Sequence, residues 1–265
     1  MTTAMSPVVS VEDLRRAYRA ALAGEFRRPN RVRPTRADPV ATGWAPSPGE
    51  QVVLVVGACG GAGVSTVALG LATSAGDARV VECCTVAASG LAGASTAEMG
   101  VTADGWVQGT RDTVLIERRS DRVASIAVMP APSATAGPLT VLDCAGDVDL
   151  LVHDSGWLGA LARTAAVVVV VTRASGPGLR RLEAAISGLG ADRVQAVVVG
   201  APKRWPRALE QALGAHGRRL RTSGRLAGVP HDPRLAIDGI TTDPLPGVLL
   251  SAVSPVLESL RGTFR

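Results

Sequence analysis

The feature that most constrains the fold is an apolar run followed at once by glycines, QVVLVVGACGGAGVST, at residues 51–66. Its first part is β-branched and uninterrupted, as is typical of a strand buried on both faces. Gly57, Gly60, Gly61 and Gly63 then allow a loop whose backbone amides point into one concavity, and the run that follows favours a helix. This order predicts a parallel sheet with an anion-binding loop after its first strand.

Beyond residue 51, strand-like and helix-like runs alternate along the chain. Alternation of this kind predicts an α/β fold with a doubly wound, mostly parallel sheet. The predicted strands are 51–56, 79–83, 113–117, 123–129, 139–143, 165–172 and 193–199, and the predicted helices are 64–74, 157–163, 179–189, 206–215 and 248–260. Residues 85–130 are less regular, which predicts a hairpin or a short helix. Ligands of such sheets bind beyond the carboxyl ends of the strands.

Composition narrows the class of protein. The 265 residues are 46% hydrophobic but only 3% aromatic, which predicts one domain with an aliphatic core. Lys203 is the single lysine among 28 basic residues, and the richness in Arg, Ala and Gly resembles the high-GC coding bias of actinobacteria. No apolar run reaches the ~18 residues of a membrane span, and no apolar signal segment is recognisable. We expect a cytoplasmic protein, with peripheral recruitment to a surface left open.

Residues 1–50 differ from the rest and are predicted to be a separate extension of the domain at 51–265. A helix is expected between Ser10 and Gly24, followed by the basic linker FRRPNRVRPTR and a Pro/Gly/Ser stretch. A solvated, disordered tail is one interpretation. A helix that docks on a protein partner is the other, and the linker gives only weak support for nucleic-acid binding.

The glycine loop resembles the deviant Walker A motif of the MinD/ParA family of P-loop ATPases, K-G-G-x-G-K-[ST]-T. The glycines and the Ser-Thr pair match, whereas Cys59 and Val64 stand at the two lysine positions. The resemblance implies a three-layer α/β/α fold of the P-loop NTPase type. It also implies that nucleotide phosphates contact Gly60, Gly61, Ala62, Gly63, Val64, Ser65 and Thr66.

Later segments resemble the same family, and together they cover about residues 51–260. TVLDCAG is similar to the Walker B strand and switch II, so that Asp143 would hold magnesium with Ser65 and Gly146 would be switch-like. RVVECCT places Glu82 at the first acid of a family motif and Cys84 at the second, the position that orients water. GRLAGVPHDPRL places Pro230 near the base.

The missing residues weaken the implied chemistry. Losing the ammonium group at position 64 costs about 100-fold or more in triphosphate affinity, because one charge pair is worth several kcal/mol. A neutral cysteine at position 84 is a poor acceptor for water. We therefore expect no efficient ATPase and assign no catalytic residue. Arg173, ahead of Arg111 and Lys203, is the candidate to supply the missing charge, unless it is an ordinary surface arginine.

Several interpretations of function stay open at this point. The first is a catalytically impaired MinD/ParA-like scaffold or regulator of a positioning process (partitioning, septum, pilus or secretion machinery). It would bind ATP or ADP with magnesium weakly, or no cofactor, and would pair with itself or with an active homologue. The second is a weak ATPase. The third is a dinucleotide-binding protein that uses NAD(P), with Gly57, Gly60 and Gly63 as its loop and Glu82 on the ribose. Tyr18 and Lys203 form no Tyr-x-x-x-Lys pair for reductase chemistry.

The four cysteines suggest one more alternative. Cys59, Cys83, Cys84 and Cys144 follow predicted strands and could form a thiolate cluster that binds a soft metal or senses redox state. Their spacing matches no zinc motif, and cysteine is also a common buried core residue. The prediction is that they hold no metal.

Overall fold

The computed structural model describes residues 11–22, 43–85, 88–121, 123, 125–134 and 137–263. The chain divides into two compact units between Asp38 and Pro39. In the first unit, α1 (Val11–Leu22) confirms the predicted N-terminal helix. Its expected cap residues, Ser10 and Gly24, and the arginine-rich linker at 26–36 lie outside the described residues.

The segment before the first strand belongs to the second unit, so the division falls earlier than the predicted linker end at residue 50. The Trp44 ring packs edge-on against Trp157, with 5.2 Å between their centroids. Glu50 forms an ion pair of 2.8 Å with Arg79. These contacts tie residues 43–50 to the domain that follows.

Within the described residues the second unit contains one nine-stranded sheet in the order β3-β4-β5-β2-β6-β1-β7-β8-β9. The strands from β5 to β9 in that order run parallel, and β3 and β4 add an antiparallel edge. The strands are β1 (Gln51–Gly57), β2 (Ala78–Glu82), β3 (Ala97–Val101), β4 (Trp106–Arg111), β5 (Val114–Arg119), β6 (Leu139–Cys144), β7 (Val168–Arg173), β8 (Val194–Val199) and β9 (Leu226–Val229).

Helices cover both faces of this sheet. The central strand β1 is therefore buried on both sides, and its sequence does not alternate between apolar and polar residues. Val53 and Val55 of β1 face one helical layer, while Leu54 and Val56 face the other. The first layer holds α2 (Val64–Ala75), α8 (Pro233–Asp238) and α9 (Gly247–Thr263). The second holds α3 (Val148–His153), α4 (Trp157–Thr164), α5 (Gly176–Leu189), α6 (Arg207–Ala212) and α7 (Ala215–Thr222). The predicted three-layer α/β/α architecture is confirmed.

Two element predictions are wrong. The described residues among 123–129 form no strand; a short 3-10 helix occupies Ile126–Val128. The reason is that β5 already pairs with β2 on one side and β4 on the other, so no sheet edge is open there. The single helix predicted at 206–215 is two helices, because the chain turns at Gly214, which precedes α7. The hairpin expected within 85–130 is confirmed by β4 and β5.

No helix in the described part of the chain combines the length and hydrophobicity that crossing a bilayer requires.

Candidate functional site

The loop between β1 and α2 has the geometry that an anion site needs. Gly61 and Gly63 adopt positive φ values of 64° and 92°, which L side chains rarely tolerate. An added Cβ at Gly60 or Gly61 would meet no atom within 4 Å, so the loop surface there is open. The first turn of α2 has no side-chain cap and no acidic residue. Its amide groups therefore remain available to a negatively charged ligand.

This loop borders a cleft of about 790 Å³ at the carboxyl edge of the sheet. A cavity of this volume suits a nucleotide-sized ligand. The lining includes all seven predicted phosphate-loop residues, 60–66, together with Gly146. Glu82, Cys84, Asp143 and Pro230 are outside the lining; Pro230 directly follows β9, at the same edge of the sheet.

Val64, at a position where the resemblance places a lysine, is only 7% exposed. Its Cγ2 atom would lie 2.9 Å from a Cβ placed on Gly57, so its side chain packs against the start of the loop. This contact requires glycine at position 57. The cleft thus has an apolar methyl group where the resemblance places an ammonium group.

Asp143 is a fully buried carboxylate near the end of β6. Neither of its oxygens has a hydrogen-bond partner of good geometry among the described residues. Burial raises the pKa of Asp143 to about 7; the nearby Ser65 hydroxyl lowers it in part, and the neighbouring Glu82 carboxylate raises it further. An unpartnered buried carboxylate is rare and costly, which marks it as a functional candidate.

The residues present fit a magnesium ion. Magnesium prefers oxygen ligands and is commonly held by one or two protein groups together with phosphate oxygens. Ser65 provides a hydroxyl in the first turn of α2, within the cleft lining, and the buried Asp143 carboxylate of β6 lies near that hydroxyl. A bound cation would compensate the charge of Asp143 that burial otherwise opposes.

Glu82 has a role that the sequence did not reveal. Its buried carboxylate accepts hydrogen bonds from the Ser89 hydroxyl at 2.7 Å and from the Gly90 and Leu91 amides at 2.7 and 2.9 Å. A Cβ on Gly90 would approach the Ser65 Oγ to 2.4 Å, so only glycine fits there. Glu82 therefore anchors the segment that lies directly beside Ser65.

The cysteines do not support the thiolate cluster. Burial, with the Glu82 and Asp143 charges, raises the pKa of Cys84, and burial next to Cys144 raises that of Cys83. These thiols stay protonated near neutral pH. No group of three or more His, Cys, Asp or Glu side chains in the described ranges is arranged to hold a metal ion. Cys59 is half-buried and lines the cleft.

None of the three basic residues suggested as the source of the missing charge lines the cleft. Arg111 is buried and donates to the carbonyl groups of Ala94 and Thr241. Arg173 and Lys203 are exposed and lie outside the cleft lining. Arg181 on α5 is instead the basic residue in the lining.

The sheet topology contradicts the dinucleotide alternative. In the dinucleotide-binding fold the first two strands of the nucleotide-binding half are neighbours. Here β6 lies between β1 and β2. In addition, the Glu82 carboxylate is already occupied by three donors and is buried, so it cannot bind a ribose hydroxyl.

Comparison with known proteins supports the predicted fold. No protein-family model matches the chain, and no curated protein matches it. Among solved structures, a Borrelia burgdorferi protein assigned to plasmid partition and bound to AMPPNP is 14% identical, with a TM-score of 0.52, covering 80% of this chain and 98% of that one. The cell division ATPase MinD of Pyrococcus furiosus is also 14% identical, with a TM-score of 0.51, and the match covers 80% of this chain and 98% of that one. A Cyanothece McdA variant in complex with ATP is 13% identical, with a TM-score of 0.50, and the match covers 81% of this chain and 96% of that one. The chain shares the fold of these P-loop ATPases, as the resemblance implied.

Proposed function

We propose that this chain is a degenerate MinD/ParA-like protein that binds a magnesium-bound nucleotide in the cleft and acts by binding rather than by turnover. The observation that carries the proposal is Asp143. This buried carboxylate has no hydrogen-bond partner of good geometry among the described residues, and the Ser65 hydroxyl near it belongs to the uncapped first turn of α2. A structural role gives no reason to keep such a group, whereas a magnesium–phosphate ligand does.

Slow hydrolysis follows from the residues that surround the loop. Phosphoryl transfer depends on positioned charges and an oriented water molecule. Val64 offers a methyl group, and Cys84 is buried and protonated, so neither contributes a charge or a strong acceptor. The expected product of this arrangement is a protein that binds and releases its nucleotide with little hydrolysis.

Nucleotide binding with little hydrolysis suits a scaffold or regulator of a positioning process. Such a protein needs partners, and α1 presents two large apolar side chains, Val11 and Tyr18, that are both 66% exposed. They are seven residues apart and so lie on one helix face. We propose α1 as the docking element for a protein partner, with a second copy or an active homologue as a further partner of the domain.

The test is isothermal titration calorimetry of the full chain with ATP and ADP, each with magnesium and then with EDTA, and with NADPH. We expect binding that requires magnesium and that Asp143→Ala weakens at least about tenfold. A phosphate-release assay should show turnover far below the usual ~1–100 s⁻¹ of phosphoryl-transfer enzymes. Binding of NADPH alone, or no binding of any nucleotide, would overturn the proposal.

The Val64→Lys variant probes the missing charge directly. Restoring an ammonium group next to the phosphates should tighten triphosphate binding about 100-fold. Val64→Met is the matched control, since it adds length without charge. Equal affinities for the two variants would mean that position 64 does not face the phosphates.

A further inference from the structure

Helix α5 presents a single long polar side chain to the cleft. Arg181, Ala184 and Ala185 all line it, and their spacing places them on one face of the helix. The two alanines are too short to reach a ligand across the cleft. Arg181 is exposed, and it forms no hydrogen bond or ion pair with the part of the chain that the structure describes.

The charges of the cleft make this arginine conspicuous. The lining contains two carboxylates, Asp147 and Asp149, while Arg181 is its cation. Asp147 is used as the cap of α3, accepting from the Asp149 and Leu150 amides. Without Arg181, a polyphosphate would meet amide groups, the Ser65 and Thr66 hydroxyls and two carboxylates, but no positively charged side chain of the lining. Because the polyphosphate is itself negatively charged, its binding beside these carboxylates is unfavourable unless a cation accompanies the polyphosphate.

We propose that Arg181 is the phosphate-binding cation of this cleft, supplied from α5 on the opposite wall instead of from the glycine loop. The inference rests on the proposed nucleotide function and names a specificity-determining residue for it. A guanidinium group binds phosphate oxygens through two parallel N–H donors, which an ammonium group cannot do. A phosphate held between the loop amides and Arg181 would bridge the two walls of the cleft.

Arg180 provides a matched control on the same helix. It carries the same charge, is also exposed, and is absent from the cleft lining, with its guanidinium near Gly176 at the start of α5. Long-range electrostatics change almost equally in Arg180→Ala and Arg181→Ala. A difference between them therefore reports local contact.

The experiment is titration of ADP and of ATP, each with magnesium, into the wild-type chain and the variants Arg180→Ala, Arg181→Ala, Arg181→Lys and Arg181→Glu. We expect Arg181→Ala to weaken binding about tenfold and Arg181→Glu about 100-fold, with partial recovery in Arg181→Lys and less than twofold change in Arg180→Ala. Unfolding midpoints without nucleotide should agree within the series, which separates binding from folding.

The outcomes distinguish a failure of the role proposed for Arg181 from a failure of the proposed nucleotide binding. If the wild-type chain binds nucleotide and Arg181→Ala binds as tightly as Arg180→Ala, the role of Arg181 is overturned while the nucleotide site stands. If Arg181→Lys and Arg181→Ala are equally weak and equally destabilised, the role is structural and the inference is also overturned. If the wild-type chain binds no nucleotide, both proposals fall.

Discussion

At the amino ends of β2 and β6, Arg79 lies opposite Thr140 in register; at their carboxyl ends, Glu82 lies opposite Asp143. Both ends are buried and both carry charge. Arg79 donates to the Thr140 hydroxyl at 3.1 Å and pairs with Glu50 at 2.8 Å and Glu117 at 3.4 Å. Asp143, at the other end, has no hydrogen-bond partner among the described residues.

Under the proposed function, the difference separates a structural site from a ligand-binding one on the same pair of strands. At the amino end every charge has a counter-charge, and Gln108 and Ser133 complete the coordination of Glu117. Such a network holds the segment before β1 to the sheet. At the carboxyl end, the Glu82 carboxylate is satisfied by a loop, whereas the buried Asp143 carboxylate has no hydrogen-bond partner of good geometry among the described residues. Burial of an unpaired group costs stability, which is expected where a ligand completes the site.

The largest effect is expected from removing the cation of the buried network at the amino ends of β2 and β6. Arg79→Met leaves the Glu50 and Glu117 carboxylates buried without their cation, so the free energy of unfolding should fall by about 3–5 kcal/mol. Chemical denaturation at pH 7 measures this. Arg118→Met is the control, since its partner Glu98 is exposed and the loss should be about 0–1 kcal/mol. Equal losses in both variants would contradict the assignment of a buried network.

The next effect is the pH dependence at the unsatisfied end. Because burial raises the pKa of Asp143 to about 7, the folded chain binds this proton more tightly than the unfolded chain does. Its contribution is therefore fully present below the unfolded pKa near 4 and is lost as pH rises through about 7, amounting to roughly 2–4 kcal/mol. Denaturation from pH 4 to pH 8 should show this decline in the wild type and not in Asp143→Asn. Parallel curves would refute the buried, unpaired state of Asp143.

A smaller effect is expected at Glu82, the satisfied member of the same end. Glu82→Gln keeps the shape but replaces one acceptor oxygen with an NH₂ group, which conflicts with the donors from Ser89, Gly90 and Leu91. The free energy of unfolding should fall by about 1–3 kcal/mol. Glu98→Gln, on the exposed strand β3, should change it by less than about 0.5 kcal/mol. A neutral Glu82→Gln would mean that the carboxylate does not anchor the segment.

The smallest effect is expected at Glu50, at the amino ends of β2 and β6. Its contribution to stability is lost as pH falls, whereas that of Asp143 is lost as pH rises. Burial alone would raise the pKa of Glu50, but hydrogen bonds from Thr140 and Ser47 and the charge of Arg79 lower it below its usual value. Its stabilisation is present above the unfolded pKa and is lost as pH falls through the folded one. Glu50→Gln should cost about 1 kcal/mol near pH 7 and almost nothing near pH 3. A cost that grows as pH falls would contradict this.

The sequence was most informative where one segment determines its own structure. The apolar run of β1, the glycines and the start of α2 are contiguous, so strand, loop and helix could all be predicted locally. The exposed edge strand β3 has no buried residue, so no hydrophobic pattern indicates it. The strand predicted at 123–129 failed for the converse reason, since Val123 and Met129 are buried in the core without belonging to a strand.

The site itself was predictable only in part. Asp143 and Ser65 follow from motifs, but the missing hydrogen bonds of Asp143 depend on how three strands and a loop surround it. Glu82 is occupied by residues that follow it in the chain, a contact that no periodic pattern shows. Arg181 could have been found from its two short neighbours at 184 and 185, which mark one open face of α5.

The most direct test of the central claim is whether nucleotide offsets the cost of burying Asp143. The measurement is the free energy of unfolding at pH 8 for the wild type and Asp143→Asn, each with magnesium alone and with magnesium and ADP. Both proteins receive the same ADP concentration, ~100 times the dissociation constant of the wild type. The free energy of unfolding of the wild type should then rise by about 2.7 kcal/mol and that of Asp143→Asn by much less. An equal gain in both proteins, or none in the wild type, would contradict the account.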